Sequence, residues 1–375
     1  MENSIPSSTS SPQHHSDLPD SQMNLIKLQL NSKLPDPANS IANAAPLNLS
    51  SSSPRLMHSP SKLMASPIDK TPTVFNPYII IAQRELGPFT YDQLNSEDAE
   101  LPHLDPYQFT NDKVIYHGQW KDGQRHGKGV QYWPDGSMYE GYWRNNLING
   151  KGRLIHANGD IYEGEFADGL YHGNGTMFFS DEEDVSHEAI GIENLEERTK
   201  YAGSWEKNLP HGIGEYEYND GTKYRGDFKS GHLNGQGEIQ KPDGSRYVGT
   251  FMNGKKHGFG QDFWVDGSSY KGDFYKGKRH GQGVMEEANG NKYTGEWSNG
   301  VQHGQGEYVR ADGGKYEGQF REGRQHGYGK YVWPDASSFE GFWKEDMCHG
   351  KGMYIDVRGR ERAGQWKENR LVKWF

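Results

Sequence analysis

The chain has 375 residues with a formal charge of −10, and only 32% of them are hydrophobic while 49 are glycine. This composition argues against one large globular core. No apolar run is long enough to cross a bilayer, and the sequence shows no secretory signal, myristoylation glycine or prenylation cysteine, so we expect any membrane contact to be peripheral.

Residues 1–73 are rich in Ser, Pro and Asn and have no hydrophobic periodicity. This composition predicts a disordered tail. Ser-Pro and Thr-Pro dipeptides within it are candidate phosphate acceptors, although such dipeptides are common in disordered tails. The one apolar cluster, Leu25 to Leu30, is either a short docking motif or a chance grouping.

The composition changes at residue 74, and we interpret residues 74–115 as an N-terminal capping segment. The run Tyr78-Ile79-Ile80-Ile81 predicts a buried strand, and residues 91–100 predict a short helix limited by Pro102 and Pro106. A cap is expected because a sheet needs its first open edge covered.

From residue 116 onward one unit recurs with a period of 23 residues. Each copy has a Tyr-x-Gly-x-Trp/Phe core, followed eleven residues after its first aromatic by Gly-x-Gly, usually preceded by His. The copies begin at Tyr116, Tyr139, Tyr162, Tyr201, Tyr224, Tyr247, Tyr270, Tyr293, Tyr316, Phe339 and, in degenerate form, Arg362. A fixed period predicts an array of identical structural units.

Each unit predicts a β-hairpin, because alternate residues of a strand share one face. In the copy at Tyr270, pairing Phe274 with Gly281 would set Gly272 opposite Gly283 and Tyr270 opposite Met285. Large rings would then lie over glycines, which explains glycine within a strand. The fold prediction is all-β: an elongated single-layer array of stacked 23-residue hairpins, with a disordered N-terminal tail.

The motif Tyr-x-Gly-x-Trp, a polar turn, His-Gly-x-Gly and Asp-Gly at this period resembles the membrane occupation and recognition nexus (MORN) repeat. The resemblance covers residues 116–375, in about eleven copies. It implies a hairpin-stacked β architecture and a role as a scaffold at membranes or in cytoskeletal and axonemal assemblies, or as a module beside an enzyme. Departures include Asn149 and Asn234 in place of His, and Ala336 in place of Gly.

An acidic insertion, residues 180–199, separates the third and fourth copies without disturbing their register. We predict that it projects from the sheet as a loop, with a helical turn around Glu193 to Arg198. The insertion has eight acidic residues against one basic, and residues 75–115 have seven against two. Because these two segments account for the negative charge of the chain, the repeats themselves are nearly neutral.

Charge within the repeats is polarised between the two kinds of turn. Asp residues occupy the turns between hairpins, which predicts one acidic edge. Basic residues occupy the turns within hairpins, which predicts a candidate anionic-lipid edge formed by Lys121, Arg125, Lys255, Lys256, Lys276, Lys278, Arg279, Arg321 and Arg324. Anionic lipid attracts such residues, although charged turns are usually only solvated.

The sequence indicates no nucleotide-binding, metal or catalytic site. The Gly-x-Gly motifs lie within strands and repeat, unlike a nucleotide-binding loop between a strand and a helix. Equivalent histidines of adjacent copies are expected about 10 Å apart, too far to share one Zn²⁺. No catalytic triad appears, Cys348 is interpreted as structural, and a nearly neutral domain does not favour nucleic acid. We predict a protein without enzymatic activity, cofactor or metal.

The function predicted is a scaffold that binds protein partners in a cytoskeletal, ciliary or cortical assembly, a location implied by the resemblance. The alternatives are a peripheral phosphoinositide-binding protein, or a regulatory subunit that positions an enzyme at a membrane. The last copy lacks its second strand, so either the C-terminal residues fold back over it or two chains form a homodimer there. The candidate residues are Trp366, Leu371, Trp374 and Phe375.

Overall fold

A computed structural model describes residues 76–92, 96–110, 112–180 and 194–375. The predictions for residues 1–73 and 181–193 therefore lie outside the described residues. The described chain is almost entirely β, with 23 antiparallel strands, as the repeat pattern predicts. It contains two compact units, which include residues 76–219 and 220–375 respectively.

The first unit begins with two helices and continues with paired strands. Its elements are α1 Pro77–Leu86, α2 Ser96–Ala99, β1 Tyr107–Gln108, β2 Ile115–Lys121, β3 Gln124–Tyr132, β4 Met138–Arg144, β5 Leu147–Ile155, β6 Ile161–Ala167, β7 Leu170–Phe178, a 3-10 helix Leu195–Glu197, β8 Lys200–Glu206 and β9 Leu209–Glu217.

The second unit consists of strands that pair in chain order. They are β10 Lys223–Lys229, β11 His232–Gln240, β12 Arg246–Met252, β13 Lys255–Phe263, β14 Ser269–Tyr275, β15 Lys278–Glu286, β16 Lys292–Ser298, β17 Val301–Val309, β18 Lys315–Arg321, β19 Arg324–Val332, β20 Ser338–Lys344, β21 Met347–Ile355, β22 Glu361–Lys367 and β23 Arg370–Trp374.

The register of β14 and β15 confirms two of the three predicted pairs and corrects the third. Tyr270 lies opposite Met285 and Gly272 opposite Gly283. The predicted pair of Phe274 with Gly281 is wrong: Phe274 pairs with Arg279, and Gly281 instead pairs with Trp297 of β16. The register shifts because the backbone bulges at Gly281, whose φ is 58°. A left-handed φ is the physical reason for the first glycine of Gly-x-Gly.

The second glycine of Gly-x-Gly serves ring packing. Tyr270 is fully buried, and a Cβ added at Gly283 would lie 2.3 Å from the Tyr270 hydroxyl oxygen. That hydroxyl donates to the backbone oxygen of Asp273 at 3.0 Å. The Tyr270 ring meets Phe274 of its own repeat at 5.1 Å and Trp297 of the next at 5.2 Å, both edge to face. We call the side of the sheet that carries these rings the aromatic face.

The opposite side, which we call the outer face, carries the alternate side chains of each strand. There the fourth residue of a repeat, counted from its first aromatic, caps the bulge. The Asp273 carboxylate accepts from Gln282 N at 3.0 Å, and Glu296 accepts from Gln305 N at 2.9 Å. The bulge breaks the backbone ladder, and this side-chain acceptor satisfies the amide that the bulge leaves unpaired.

The predicted strand at Tyr78 to Ile81 is wrong, since these residues lie in α1. The Asn76 side chain accepts from Tyr78 N and donates to the backbone oxygens of Gly136 and His156. An asparagine N-cap followed by proline starts a helix, and this local signal outweighs the β-propensity of three isoleucines. The helix buries Ile81 and Ala82 in a core formed by Ile81, Ala82, Ile155, Ile161, Phe178 and Leu195.

The end of the acidic insertion packs instead of projecting. Leu195 of the 3-10 helix is 2% exposed and belongs to the core under α1. Arg198 donates to the backbone oxygen of Gly159 at 2.8 Å, and its guanidinium lies 5.3 Å from the Tyr78 ring. The prediction of a projecting loop is therefore wrong for residues 194–199. These residues pack because α1 offers them an apolar surface, which sequence periodicity does not reveal.

Acid is expected to destabilise the first unit through His156. This buried ring lies 2.6 Å from the Tyr171 hydroxyl, and burial lowers its pKa below the ordinary value of about 6.5. As the pH falls below about 6.5, His156 becomes protonated in the unfolded chain but stays neutral in the folded chain. The free energy of unfolding therefore declines. His156→Gln keeps a polar partner but does not titrate.

We therefore expect the variant to flatten the fall in urea midpoint between about pH 7 and 5, where one titrating group changes stability by up to about 1.4 kcal/mol per pH unit. His172→Gln, which removes an exposed histidine of the same unit, is the control and should leave the wild-type slope. Identical slopes for wild type and His156→Gln would show that His156 does not govern acid sensitivity.

Candidate functional site

The described residues carry little that could do covalent or metal chemistry. Among them no group of His, Cys, Asp and Glu side chains is arranged to hold a metal ion. Cys348 is fully buried, and burial raises the pKa of its thiol well above the usual range. A neutral, enclosed thiol is a poor nucleophile. No helix in the described ranges has the length and apolar character of a membrane span.

Three of the nine predicted lipid-edge residues point into the aromatic face. Arg125 is 3% exposed with its guanidinium 4.6 Å from the Trp143 ring, and burial lowers its pKa to about 10. Lys256 is also buried, 2.5 Å from the Asp262 carboxylate, and Arg279 is half-buried over Trp297 at 4.6 Å. These cations stack on rings and satisfy internal partners.

The other six basic residues lie at hairpin turns. Lys121 is exposed in the first unit. In the second unit Lys255 is half-buried, and four residues are exposed: Lys276, Lys278, Arg321 and Arg324. Lys276 and Lys278 flank the turn of the β14–β15 hairpin, and Arg321 and Arg324 flank that of the β18–β19 hairpin.

An irregular segment of the cap, residues 87–92, lies on the outer face of the first unit. At its start the Gly87 backbone oxygen accepts from Arg153 at 2.7 Å, and the Arg153 guanidinium lies 6.0 Å from the Phe89 ring. Arg153 is held in place by Glu163 at 2.7 Å. The segment thus begins on a side chain fixed by the sheet.

The same segment ends on an aromatic and a lysine of the outer face. The Tyr91 ring meets Tyr142 edge to face at 5.4 Å, with the Lys128 ammonium 5.0 Å away. Tyr142 donates to the Asp92 backbone oxygen at 2.7 Å, and the Asp92 carboxylate lies 2.8 Å from Lys151. The outer face can therefore hold a peptide through rings and charge.

Several apolar side chains of the outer face are exposed. Ile213 in the first unit is 71% exposed, and Phe259 in the second is 54% exposed. Tyr328 and Phe342 are about half exposed and meet edge to face at 5.6 Å. Sequence reasoning missed these residues because it followed the motif positions. Their signal is an apolar residue at a repeat position that is polar in most copies.

At the C-terminus the chain folds back on itself. Residues 370–374 form β23, which pairs with β22, and Trp366 is buried against Phe339 and Trp374. Leu371 pairs opposite Trp366, whereas Phe375 is 64% exposed. The predicted fold-back is therefore present and covers the last repeat with residues of the same chain, while the homodimer stays a prediction.

Comparisons with known proteins identify the repeat. The MORN repeat family matches ten segments of 21 to 23 residues, the first three over residues 116–182 and the other seven over residues 201–359. No curated protein matches the chain.

Three solved structures resemble parts of the chain. The TCP domain of SAS-4 (dCPAP) of Drosophila melanogaster, bound to a proline-rich motif of Ana2 (dSTIL), is 14% identical, with 59% of this chain and 99% of that chain covered and a TM-score of 0.23. The G-box domain of the microcephaly protein CPAP is 11% identical, with 64% and 100% covered and a TM-score of 0.21. Virginiamycin B lyase from Staphylococcus aureus is 11% identical, with 70% and 84% covered and a TM-score of 0.13.

TM-scores this low support no structural or functional conclusion about this chain from the three structures. The matched segments cover more than half of the residues, and each begins at the aromatic residue that opens a repeat. The glycines of these segments have the two structural roles described above, at the bulge and under the ring. The chain therefore belongs to the MORN repeat family.

Proposed function

We propose that this protein is a non-enzymatic scaffold that binds protein partners through the outer face of its repeats. The observation that supports this most directly is the cap segment, because residues 87–92 occupy the outer face through Tyr142 and Lys151. A location in a cytoskeletal, ciliary or cortical assembly is part of this proposal, and membership of the MORN family supports it.

The packing of the repeats suits such a role. In the copy that begins at Tyr293, the first aromatic contacts the ring of its own repeat, Trp297, at 5.2 Å and that of the next, Phe320, at 5.0 Å. Its hydroxyl also donates to a backbone oxygen, for Tyr293 that of Glu296 at 2.8 Å. Rings locked in this way set outer-face side chains at a fixed spacing, which lowers the entropy lost on binding.

A photo-crosslinking amino acid placed at Phe259 tests the proposal in the protein's own cells. We expect covalent adducts with a protein from this outer-face position, and they should still form when a lysate of these cells is irradiated in about 1 M salt, where the Debye length is about 3 Å. The same amino acid at the exposed turn residue Lys276 is the control and should give few protein adducts. Adducts from neither position, or equal adducts from both, would contradict binding through the outer face.

Binding of anionic lipid by the turn lysines is the second candidate, and the exposed pair Lys276 and Lys278 favours it. Reversing both to Glu should remove most sedimentation with phosphoinositide liposomes, since each basic residue near such a surface contributes about 1 kcal/mol. Lys292→Glu with Lys315→Glu changes the charge equally at lysines paired with acidic residues, and should matter less. Absent sedimentation of the wild type at low salt would refute lipid binding. A regulatory subunit that holds an enzyme at a membrane would need both surfaces.

A further inference from the structure

Two copies of the repeat differ from all the others in the chemical character of the fourth residue. In most copies it is polar, and in six of them it accepts the amide at the bulge: Gln119, Glu165, Asp227, Asp273, Glu296 and Gln319. It is aromatic only in the copies that begin at Tyr139 and Phe339, where it is Tyr142 and Phe342. A ring cannot accept that amide, so these two copies lose a stabilising hydrogen bond.

At Tyr142 the structure shows what replaces the lost hydrogen bond. The ring packs against Tyr91 at 5.4 Å, its hydroxyl donates to the Asp92 backbone oxygen, and Asp92 pairs with Lys151. Lys151 is the thirteenth residue of the same repeat, beside the bulge. An aromatic fourth residue and a lysine at position thirteen therefore hold an aromatic residue followed by a carboxylate.

The copy that begins at Phe339 repeats this pair of residues. Phe342 is its fourth residue and Lys351 its thirteenth, and both are exposed. Tyr328, on the neighbouring strand, meets Phe342 edge to face at 5.6 Å and widens the apolar surface. The Phe375 ring lies 6.0 Å from the Lys351 ammonium. The fourth and thirteenth residues therefore match those at Tyr142, but within the described ranges no segment comparable to residues 87–92 lies on the half-exposed Phe342.

We propose that the surface formed by Tyr328, Phe342 and Lys351 binds an extended segment of a partner protein that presents an aromatic residue followed by a carboxylate. This inference rests on the proposed scaffold function and specifies its site and ligand. The partner's ring would pack on Phe342 as Tyr91 packs on Tyr142, and its carboxylate would pair with Lys351 as Asp92 pairs with Lys151.

The sequence excludes the remainder of this chain as the source of that segment. Residues 1–74 and 181–193 contain no Phe, Tyr or Trp. Phe75 directly precedes Asn76, whose side chain is bound to Gly136 and His156. The cap segment of a second copy is engaged on its own Tyr142. Phe375 of the same chain lies against Lys351, at 6.0 Å, but the ring that meets Phe342 is Tyr328. We therefore assign the aromatic residue that would pack on Phe342 to a different protein.

A peptide with the sequence of residues 86–94, Leu-Gly-Pro-Phe-Thr-Tyr-Asp-Gln-Leu, is the probe. Added to the full chain, it should bind a single site saturably, as measured by fluorescence anisotropy. Phe342→Gln restores the acceptor that Gln319 provides one copy earlier, so this variant should fold, and it should weaken binding by about tenfold or more. Tyr275→Gln removes an exposed ring elsewhere in the second unit and should leave the affinity unchanged.

A charge exchange tests the second contact. Lys351→Glu should weaken binding of the probe, and a probe with Lys in place of Asp should recover binding to that variant but not to the wild type. No saturable binding up to about 1 mM, or equal binding to Phe342→Gln and wild type, would overturn the inference. If the crosslinker at Phe259 still gave protein adducts in the Phe342→Gln variant, the scaffold function would be supported and only this binding site would be refuted.

Discussion

Replacing Gly283 with valine is expected to destabilise the second unit by about 3 kcal/mol or more. The first atom of the new side chain would lie 2.3 Å from the Tyr270 hydroxyl oxygen and 2.6 Å from a ring carbon. The Tyr270 ring cannot move away, because it is fully buried between Phe274 and Trp297. Its hydroxyl also donates a hydrogen bond to the Asp273 backbone oxygen. Urea denaturation followed by tryptophan fluorescence measures the loss.

Gln282→Val is the matched control for this substitution. Gln282 is the preceding residue on the same strand, but its side chain is exposed on the outer face. A valine there favours strand structure and meets no ring, so the free energy of unfolding should change by less than about 0.5 kcal/mol. Equal midpoints for Gly283→Val and Gln282→Val would show that Tyr270 does not require a glycine beneath it.

Replacing Trp297 with alanine is expected to cost about 3–5 kcal/mol through lost burial and a cavity. Trp297 is 5% exposed and fills the space between Tyr270 and Tyr293, at 5.2 Å from each ring. Its indole N–H donates to the Gly283 backbone oxygen at 3.3 Å, and the Arg279 guanidinium lies 4.6 Å from its ring. The same denaturation measurement applies, with circular dichroism to follow the sheet.

The neighbouring substitution Glu296→Gln serves as the control. Glu296 accepts from Gln305 N on the outer face, and glutamine can do the same, as Gln319 does for Tyr328 N at 3.0 Å. Its midpoint should match that of the wild type. If Trp297→Ala also unfolds at the wild-type urea concentration, the nearest-neighbour stacking of rings is not what stabilises the array.

The outer face, with Tyr142 and Phe342, differs from the aromatic face in how far the sequence predicts it. The aromatic face follows the 23-residue motif, so its residues could be named from the sequence. The outer face could not, because its fourth position varies from copy to copy and the residue that gives Tyr142 its role, Asp92, lies 50 positions earlier. Contacts so distant in sequence leave no local periodicity.

The sequence by itself determined the repeat, its family and the central pairs of the hairpin. A strand has a period of two, so Tyr270, Gly272 and Phe274 must share a face, and only glycine leaves room for a ring. The helix in place of the strand at Tyr78 follows a local signal, the Asn76 N-cap before Pro77, which outweighs the β-propensity of the isoleucines. The tertiary structure alone decided the bulge at Gly281 and the burial of Leu195 and Arg125. In each of these cases the deciding contact comes from another strand or segment, which local propensity and spacing do not encode.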